Sequence, residues 1–227
     1  METDLELALP AALLHPQPIR LEMGIERLPS GTLVVACRTL MPGCSGLMFD
    51  WWFKYFENEE HLLWWHPNDH KSHFGWDAVW QKGRNYIGAT IRAAESLGDV
   101  PPVSATIRFL DPHACFGDAA LDDAMARGEV SAAVYAGIGF GDTVTLDPDG
   151  VPVTGRMMHV TRDTPDGMVL RSRFALGLDA ARTGHAVSDE IGLGLMRHCH
   201  QEFSYLARAL PSLYHGDRSN PRPRDTW

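Results

Sequence analysis

The segment His198-Cys-His-Gln-Glu202 carries the clearest chemical signal in this sequence. It lies in helix-favouring sequence, where residues four apart share one face, a turn apart. His198 and Glu202 can therefore address one point in space. Imidazole and carboxylate are both ligands for borderline divalent cations. Upstream, His66-Pro-Asn-Asp-His70 and Glu95 offer the same ligand types. Two histidines and two carboxylates would complete a four-ligand set around one cation such as zinc. The HPNDH segment by itself does not choose between His66 and His70.

Each of these residues also has a plainer reading. His198 and Glu202 could be a solvated i,i+4 pair worth only ~0.2–0.5 kcal/mol. His66 could pack on Trp64 or Trp65 while Asp69 caps the segment that follows. Glu95 could be an exposed helix carboxylate. His200, about 200° around the helix from His198, is expected to face elsewhere, and His61 and His73 are read as surface residues. Arg171 and Arg173 alternate onto one face of a predicted strand. They are read chiefly as solvent-facing cations supporting a sheet, and secondarily as an anchor for a carboxylate or phenolate. His159 is a candidate cavity residue. Gly137-Ile-Gly-Phe-Gly141 lacks the spacing and following helix of a dinucleotide site, and the sequence contains no GxSxG or Walker A motif.

The positioning elements are mostly strands. Gly31–Thr39, Val103–Leu110, Val130–Phe140, Thr143–Leu146, Arg156–Arg162 and Met168–Leu176 read as strands, and Ile87–Glu95 as either helix or strand. Ser96–Pro102 is expected to interrupt the chain. Ser45 can cap an aromatic-rich helix over Met48–Glu57. A long helix is expected from Ser188 to Ala209, with Leu193, Met196, Cys199, Phe203 and Leu206 as its apolar stripe and Pro211 as its end. Many strands followed by one long helix describe an α+β domain, a curved antiparallel sheet gripping the C-terminal helix with a cavity between them. The seven tryptophans are read as core and pocket wall.

Bulk composition narrows the function classes. The chain has 227 residues, 44% hydrophobic and 22% charged, with a formal net charge of −9. That acidity argues against nucleic-acid binding and against an anionic membrane surface. The four cysteines form no Cys-x-x-Cys pair, so a reducing compartment is expected. The N-terminus lacks a basic n-region, and no apolar run approaches a membrane span. The expectation is a soluble, cytoplasmic protein of one domain, 1–227, with residues 1–20 as an arm or lid and 217–227 as a loose tail.

Read in order, Arg27-Leu-Pro-Ser-Gly-Thr32, Met41-Pro-Gly43, Asp50-Trp-Trp-Phe53, Trp65-His-Pro-Asn-Asp-His70, Ile87-Gly-Ala-Thr90 leading to Glu95, Arg162-Asp-Thr164, Arg171-Ser-Arg-Phe174, and His198 with Glu202 before Leu210-Pro-x-x-Tyr214 resemble the 2,4-diacetylphloroglucinol hydrolase family, which also contains phloretin hydrolases. The resemblance spans roughly residues 25–214. It implies a helix-grip (Bet v 1/START-like) domain and zinc-dependent hydrolysis of the carbon–carbon bond joining an acyl group to a phenolic ring. It places the metal ligands on His70, Glu95, His198 and Glu202. Zn²⁺ is the expected ion, and Mn²⁺ and Fe²⁺ also suit this donor set. Two departures stand out. The chain looks shorter at its N-terminus than the family's longer members. It also carries Leu62 and Leu63 where the family often has an aromatic hydroxyl.

Two glutamates formally cancel the charge of a dication. The ion is therefore expected to serve chiefly as Lewis acid and template, with a nearby base assisting water. The candidate acid/base groups are His66, Asp69 and His159. The expected partner is a small aromatic ketone, and a homodimer is admissible. Two other readings remain open: a helix-grip binding protein for apolar aromatic ligands, and a metal-dependent lyase or cyclase on the same scaffold.

Overall fold

A computed structural model describes residues 10–217. Residues 1–9 of the expected arm and 218–227 of the expected tail lie outside the described residues. The strands are β1 (Gly24–Arg27), β2 (Leu33–Pro42), β3 (His70–Trp76), β4 (Thr90–Leu97), β5 (Val100–Leu110), β6 (Ala132–Phe140), β7 (Gly155–Thr164) and β8 (Gly167–Leu176). Helices α1 (Gly46–Tyr55) and α2 (Glu59–Trp65) link β2 to β3, and α3 (His113–Phe116) and α4 (Asp118–Ala126) link β5 to β6. Helix α5 (Ala180–Thr183) and the long α6 (Asp189–Gly216) follow β8.

All eight strands form one antiparallel sheet in the order β1-β2-β8-β7-β6-β5-β4-β3. Helix α6 touches β2 towards one end of that order and β4 towards the other, so the sheet curls around it. This is the α+β helix-grip architecture expected from the pattern of elements. Among the described residues no helix is long and apolar enough to cross a membrane.

Side-chain alternation divides the sheet into two faces. On β7, Met157 packs inside the grip, whereas Met158 and Val160 join Leu13, Leu14, Phe116 and Leu121 in a smaller cluster on the outside. The main core is filled from α1, whose Ser45 side chain caps the Met48 N–H. The aromatic face of α1 presents Phe49, Trp52 and Phe53, all fully buried, with Phe56 just beyond its end. The glycine-rich run of β6 has a packing role. A Cβ at Gly137 or Gly139 would meet Val151 or Val144 at 2.4 or 2.3 Å, so these glycines seat the 142–153 loop outside while Ile138 lies in the main core.

Several expectations are corrected. Pro211 does not end the last helix, which runs on to Gly216. Proline removes an N–H that would have bonded the carbonyl four residues back; that Ala207 carbonyl instead faces Cys44 Sγ at 3.6 Å. Leu193 is 49% exposed; the buried stripe runs instead through Leu195, Cys199, Phe203, Leu206 and Leu210. Ser96–Pro102 does not interrupt the sheet. The hairpin turns at Gly98, and Pro101 and Pro102 sit in β5 where β6, which pairs only from Ala105, leaves an edge free. Thr143–Leu146 is no strand; Leu146 makes only an isolated bridge to Pro152.

Arg171 and Arg173 are buried, not solvent-facing. Arg171 grips Glu22 through Nε (3.1 Å) and Nη2 (2.7 Å) and also donates to the carbonyls of His15 and Gln17. Arg173 donates to the Leu21 carbonyl at 2.8 Å. The pair therefore fastens residues 15–22 to the sheet. His61 is likewise buried: its ring stacks on Tyr55 and its Nδ1 accepts from the Glu57 N–H. His73 is half-buried.

Candidate metal centre

His70 opens β3 and is registered directly opposite Glu95 on β4. Cross-strand partners project to the same face of a sheet, so this pair needs no long-range coincidence beyond the hairpin register. Above it crosses α6, whose His198 and Glu202 point inward and are 3% and 7% exposed. The site is thus one cross-strand pair facing one helical i,i+4 pair. The surface-pair reading of His198 and Glu202 is excluded by their burial.

The ligand atoms of His70, Glu95 and His198 lie within 4.8 Å of one another. Glu202 Oε2 stands 3.7 Å from His70 Nε2 and 3.9 Å from His198 Nε2, and Glu95 Oε2 stands 4.0 Å from His198 Nε2. Ligands at ~2.0–2.2 Å from a tetrahedral ion are separated by roughly 3.3–3.6 Å. The Glu202–His70, Glu202–His198 and Glu95–His198 gaps therefore close with shifts of about a few tenths of an ångström, whereas His70 and Glu95, within 4.8 Å of each other, must draw further together.

Both imidazoles are oriented by bonds on their far side. His70 Nδ1 lies 2.9 Å from the Leu62 carbonyl, which can only accept, so Nδ1 carries the proton. His198 Nδ1 lies 3.1 Å from Asp69 Oδ2, which also accepts the Gly98 N–H at 3.1 Å. In each ring Nε2 is left to face the cluster. A carboxylate or carbonyl behind a histidine is the usual means of fixing a metal-binding tautomer.

Electrostatics point the same way. Burial pushes the Glu202 carboxyl up to about 8, and burial raises Glu95 as well. Among the described residues neither pairs with an arginine or lysine. Their nearest counter-charge is His198, and two carboxylates so withdrawn from solvent are costly unless a further cation joins them. Burial opposes charge on His198, but the Asp69 hydrogen bond and the carboxylates of Glu202 and Glu95 raise its pKa above the ordinary value. Burial pushes His70 down to about 3, which keeps it neutral and able to donate a lone pair. The His198 bond holds Asp69 down at about 2. The donor set therefore fits a divalent ion.

His66 and Asp69 stand behind this cluster. The backbone N–H groups of Asn68 and Asp69 donate to His66 Nδ1 at 3.3 and 3.0 Å, and its ring stacks on that of His198 at 4.8 Å and 11°. Burial pushes His66 down to about 4. His159 reaches the cavity from β7. Its Nδ1 lies 2.8 Å from Ser172 Oγ, and burial pushes its pKa down to about 3. The cavity is lined by the four candidate ligands and by His159 from the sheet; Phe53, Trp65, Phe109, Met157 and Phe174 supply apolar walls. Leu62 lines it too, whereas Leu63 is exposed. His200 faces away, towards Thr39.

Sequence reasoning missed the supporting groups: the Leu62 carbonyl, the Gly98 N–H and Ser172. Only Gly98 left a trace, as a turn residue with φ +68°, a conformation glycine adopts without strain.

A family model described as "DAPG hydrolase PhiG domain" matches residues 7–215. The 2,4-diacetylphloroglucinol hydrolase of Pseudomonas protegens is 28% identical over 231 aligned positions, covering 89% of this chain and 70% of that protein. The phloretin hydrolase of Eubacterium ramulus is 26% identical, covering 81% of this chain and 68% of its own. Among solved structures, major latex-like protein 151 from Panax ginseng aligns with a TM-score of 0.47 and 10% identity, over 78% of this chain and 96% of that one.

Proposed function

The chain belongs to the DAPG hydrolase PhiG domain family, and from that premise we propose that it is a zinc-dependent hydrolase acting on carbon–carbon bonds in ketones, with an acylated, phloroglucinol-like phenol as substrate. The observation that carries this reading is the convergence of His70, Glu95, His198 and Glu202 on the wall of a cavity whose remaining lining, His159 apart, is apolar. We assign these four as the ligands of Zn²⁺; Mn²⁺ and Fe²⁺ suit the same donors.

The reaction adds water across the bond between ring carbon and carbonyl carbon. The ring carbon gains a proton, the carbonyl carbon gains a hydroxyl, and the products are a deacylated phenol and a carboxylic acid. A bound divalent ion would supply Lewis acidity for a substrate oxygen and a template for water. Glu95 and Glu202 balance the charge of such an ion, and the aromatic walls hold the ring and keep bulk water out.

Of the three acid/base candidates, we assign contact with substrate to His159. With a pKa near 3 it is neutral at pH 7, so it offers a substrate oxygen a hydrogen bond rather than a charge and is a weak base. Ser172 fixes its ring. Asp69 and His66 are assigned as positioning residues acting through His198: Asp69 fixes the tautomer, and His66 packs against the ring plane.

The test is incubation of the purified protein with 2,4-diacetylphloroglucinol and with phloretin in ¹⁸O-labelled water. The expected result is a carboxylic acid bearing one solvent oxygen, formation stopped by a chelator and restored by Zn²⁺. Ligand binding indifferent to chelator with no turnover would instead identify a carrier. A product set lacking the acid would identify a lyase or cyclase.

A further inference from the structure

A second hollow lies next to the cavity that holds the candidate ligands. Ile138 and Phe140 line both. The rest of its wall follows from the inner one by the strand and helix repeats. Glu95 gives way to Leu97 on β4, Met157 to Gly155 on β7, Phe174 to Leu176 on β8, and on α6 Leu195 gives way to Ile191 one turn earlier. Residues two apart on a strand and four apart on a helix share a face, so the hollow is the next layer of the same grip. The segment between β8 and α6, including Val187, completes its wall.

Size and polarity separate the two chambers. The inner one offers about 60 Å³ and the outer about 440 Å³. On the measure by which one water needs ~10–15 Å³, the inner space takes roughly four to six water-sized groups. That is room for the reacting carbonyl and part of a ring. The inner chamber also holds the polar groups, namely the four candidate ligands and His159. The outer wall is mainly aliphatic, with Thr154, Asp179 and His185 as its polar members.

We propose that the outer chamber is the acyl-tail subsite, so that the preferred substrate is an aryl ketone whose acyl group carries an apolar alkyl or arylalkyl chain rather than a bare acetyl. This rests on the hydrolase reading above. The oxygen-rich end of the substrate lies against the ligand cluster and His159, and the tail passes Ile138 and Phe140 into the outer layer.

The experiment measures kcat/KM for phloroglucinol ketones bearing acetyl, butanoyl, hexanoyl and 3-phenylpropanoyl groups. Burial of each methylene favours binding by up to about fourfold, so hexanoyl is expected to exceed acetyl by at least about tenfold. Val187→Trp and Thr154→Phe, each checked for folding by thermal melting, fill the chamber and are expected to cut the hexanoyl-to-acetyl ratio at least about fivefold. A ratio is insensitive to a general loss of active protein. Hydrolysis of the whole series at equal efficiency overturns the subsite and leaves the hydrolase reading standing. Absence of hydrolysis for every member, with metal bound, overturns the hydrolase reading and the subsite with it.

Discussion

Replacing Asp69 by Asn removes one charge from behind the candidate metal centre while keeping its shape. In the native protein a single oxygen, Oδ2, accepts both from His198 Nδ1 and from the Gly98 N–H, each at 3.1 Å. An asparagine carbonyl can take that position and both bonds, so the His198 tautomer is retained and only charge assistance is lost. Hydrogen bonds to charged groups contribute about 1.5–3 kcal/mol against about 0.5–1.5 for neutral ones. The difference, about 1–2 kcal/mol, corresponds to a 5–30-fold weaker hold on the ion. That overlaps the lower part of the range found when the group behind a metal-bound histidine is removed, about 10–100-fold. The assay is competition for Zn²⁺ against a chromophoric chelator, with circular dichroism to confirm folding. A folded Asp69→Asn protein that binds Zn²⁺ within twofold of the native affinity would refute the assignment of Asp69 as a positioning residue.

Four further outcomes are expected. Glu202→Gln loses metal and turnover together, read by elemental analysis beside the acid-release assay; full metal content with full activity would contradict the ligand assignment. His159 has a folded pKa near 3, below its ordinary 6.5; between those values the unfolded chain binds the extra proton, so stability rises with pH across this window. Urea unfolding at pH 5 and pH 7 should show a smaller difference for His159→Gln than for the native protein, and an equal difference would exclude the buried neutral imidazole as a source. Pro211→Ala restores an N–H for the Ala207 carbonyl and should stabilise the protein by about 1–3 kcal/mol; unchanged or lower stability in the same unfolding assay would contradict this. Gly139→Ala drives a Cβ to 2.3 Å from Val144 and should cost about 1–3 kcal/mol, with an unchanged melting temperature as the contrary result.

The parts of the site legible in the sequence were those governed by local periodicity. His198 and Glu202 are brought together by one helical turn, and a helix-forming stretch announces that. His70 and Glu95 meet through hairpin register, and nothing near either residue reveals which positions on β3 and β4 face each other. The ambiguity between His66 and His70 had the same source. The sheet places His70 opposite Glu95, while the turn geometry at His66 closes its Nδ1 with two backbone N–H groups. Alternation puts Arg171 and Arg173 on one strand face, but their burial is not legible locally, because the segment that covers them is more than a hundred residues away in sequence. At Pro211 a tertiary partner for the orphaned carbonyl, Cys44, overrides the local helix-breaking rule.

The account stands on four side chains gathering around one cation. Anomalous diffraction from crystals of the Zn²⁺-loaded protein tests this most directly. The predicted result is one peak at full occupancy within ~2.0–2.2 Å of His70 Nε2, His198 Nε2 and a carboxylate oxygen from each of Glu95 and Glu202. A cavity free of anomalous signal in such crystals, or a peak held by His66 and Asp69 instead, would contradict it.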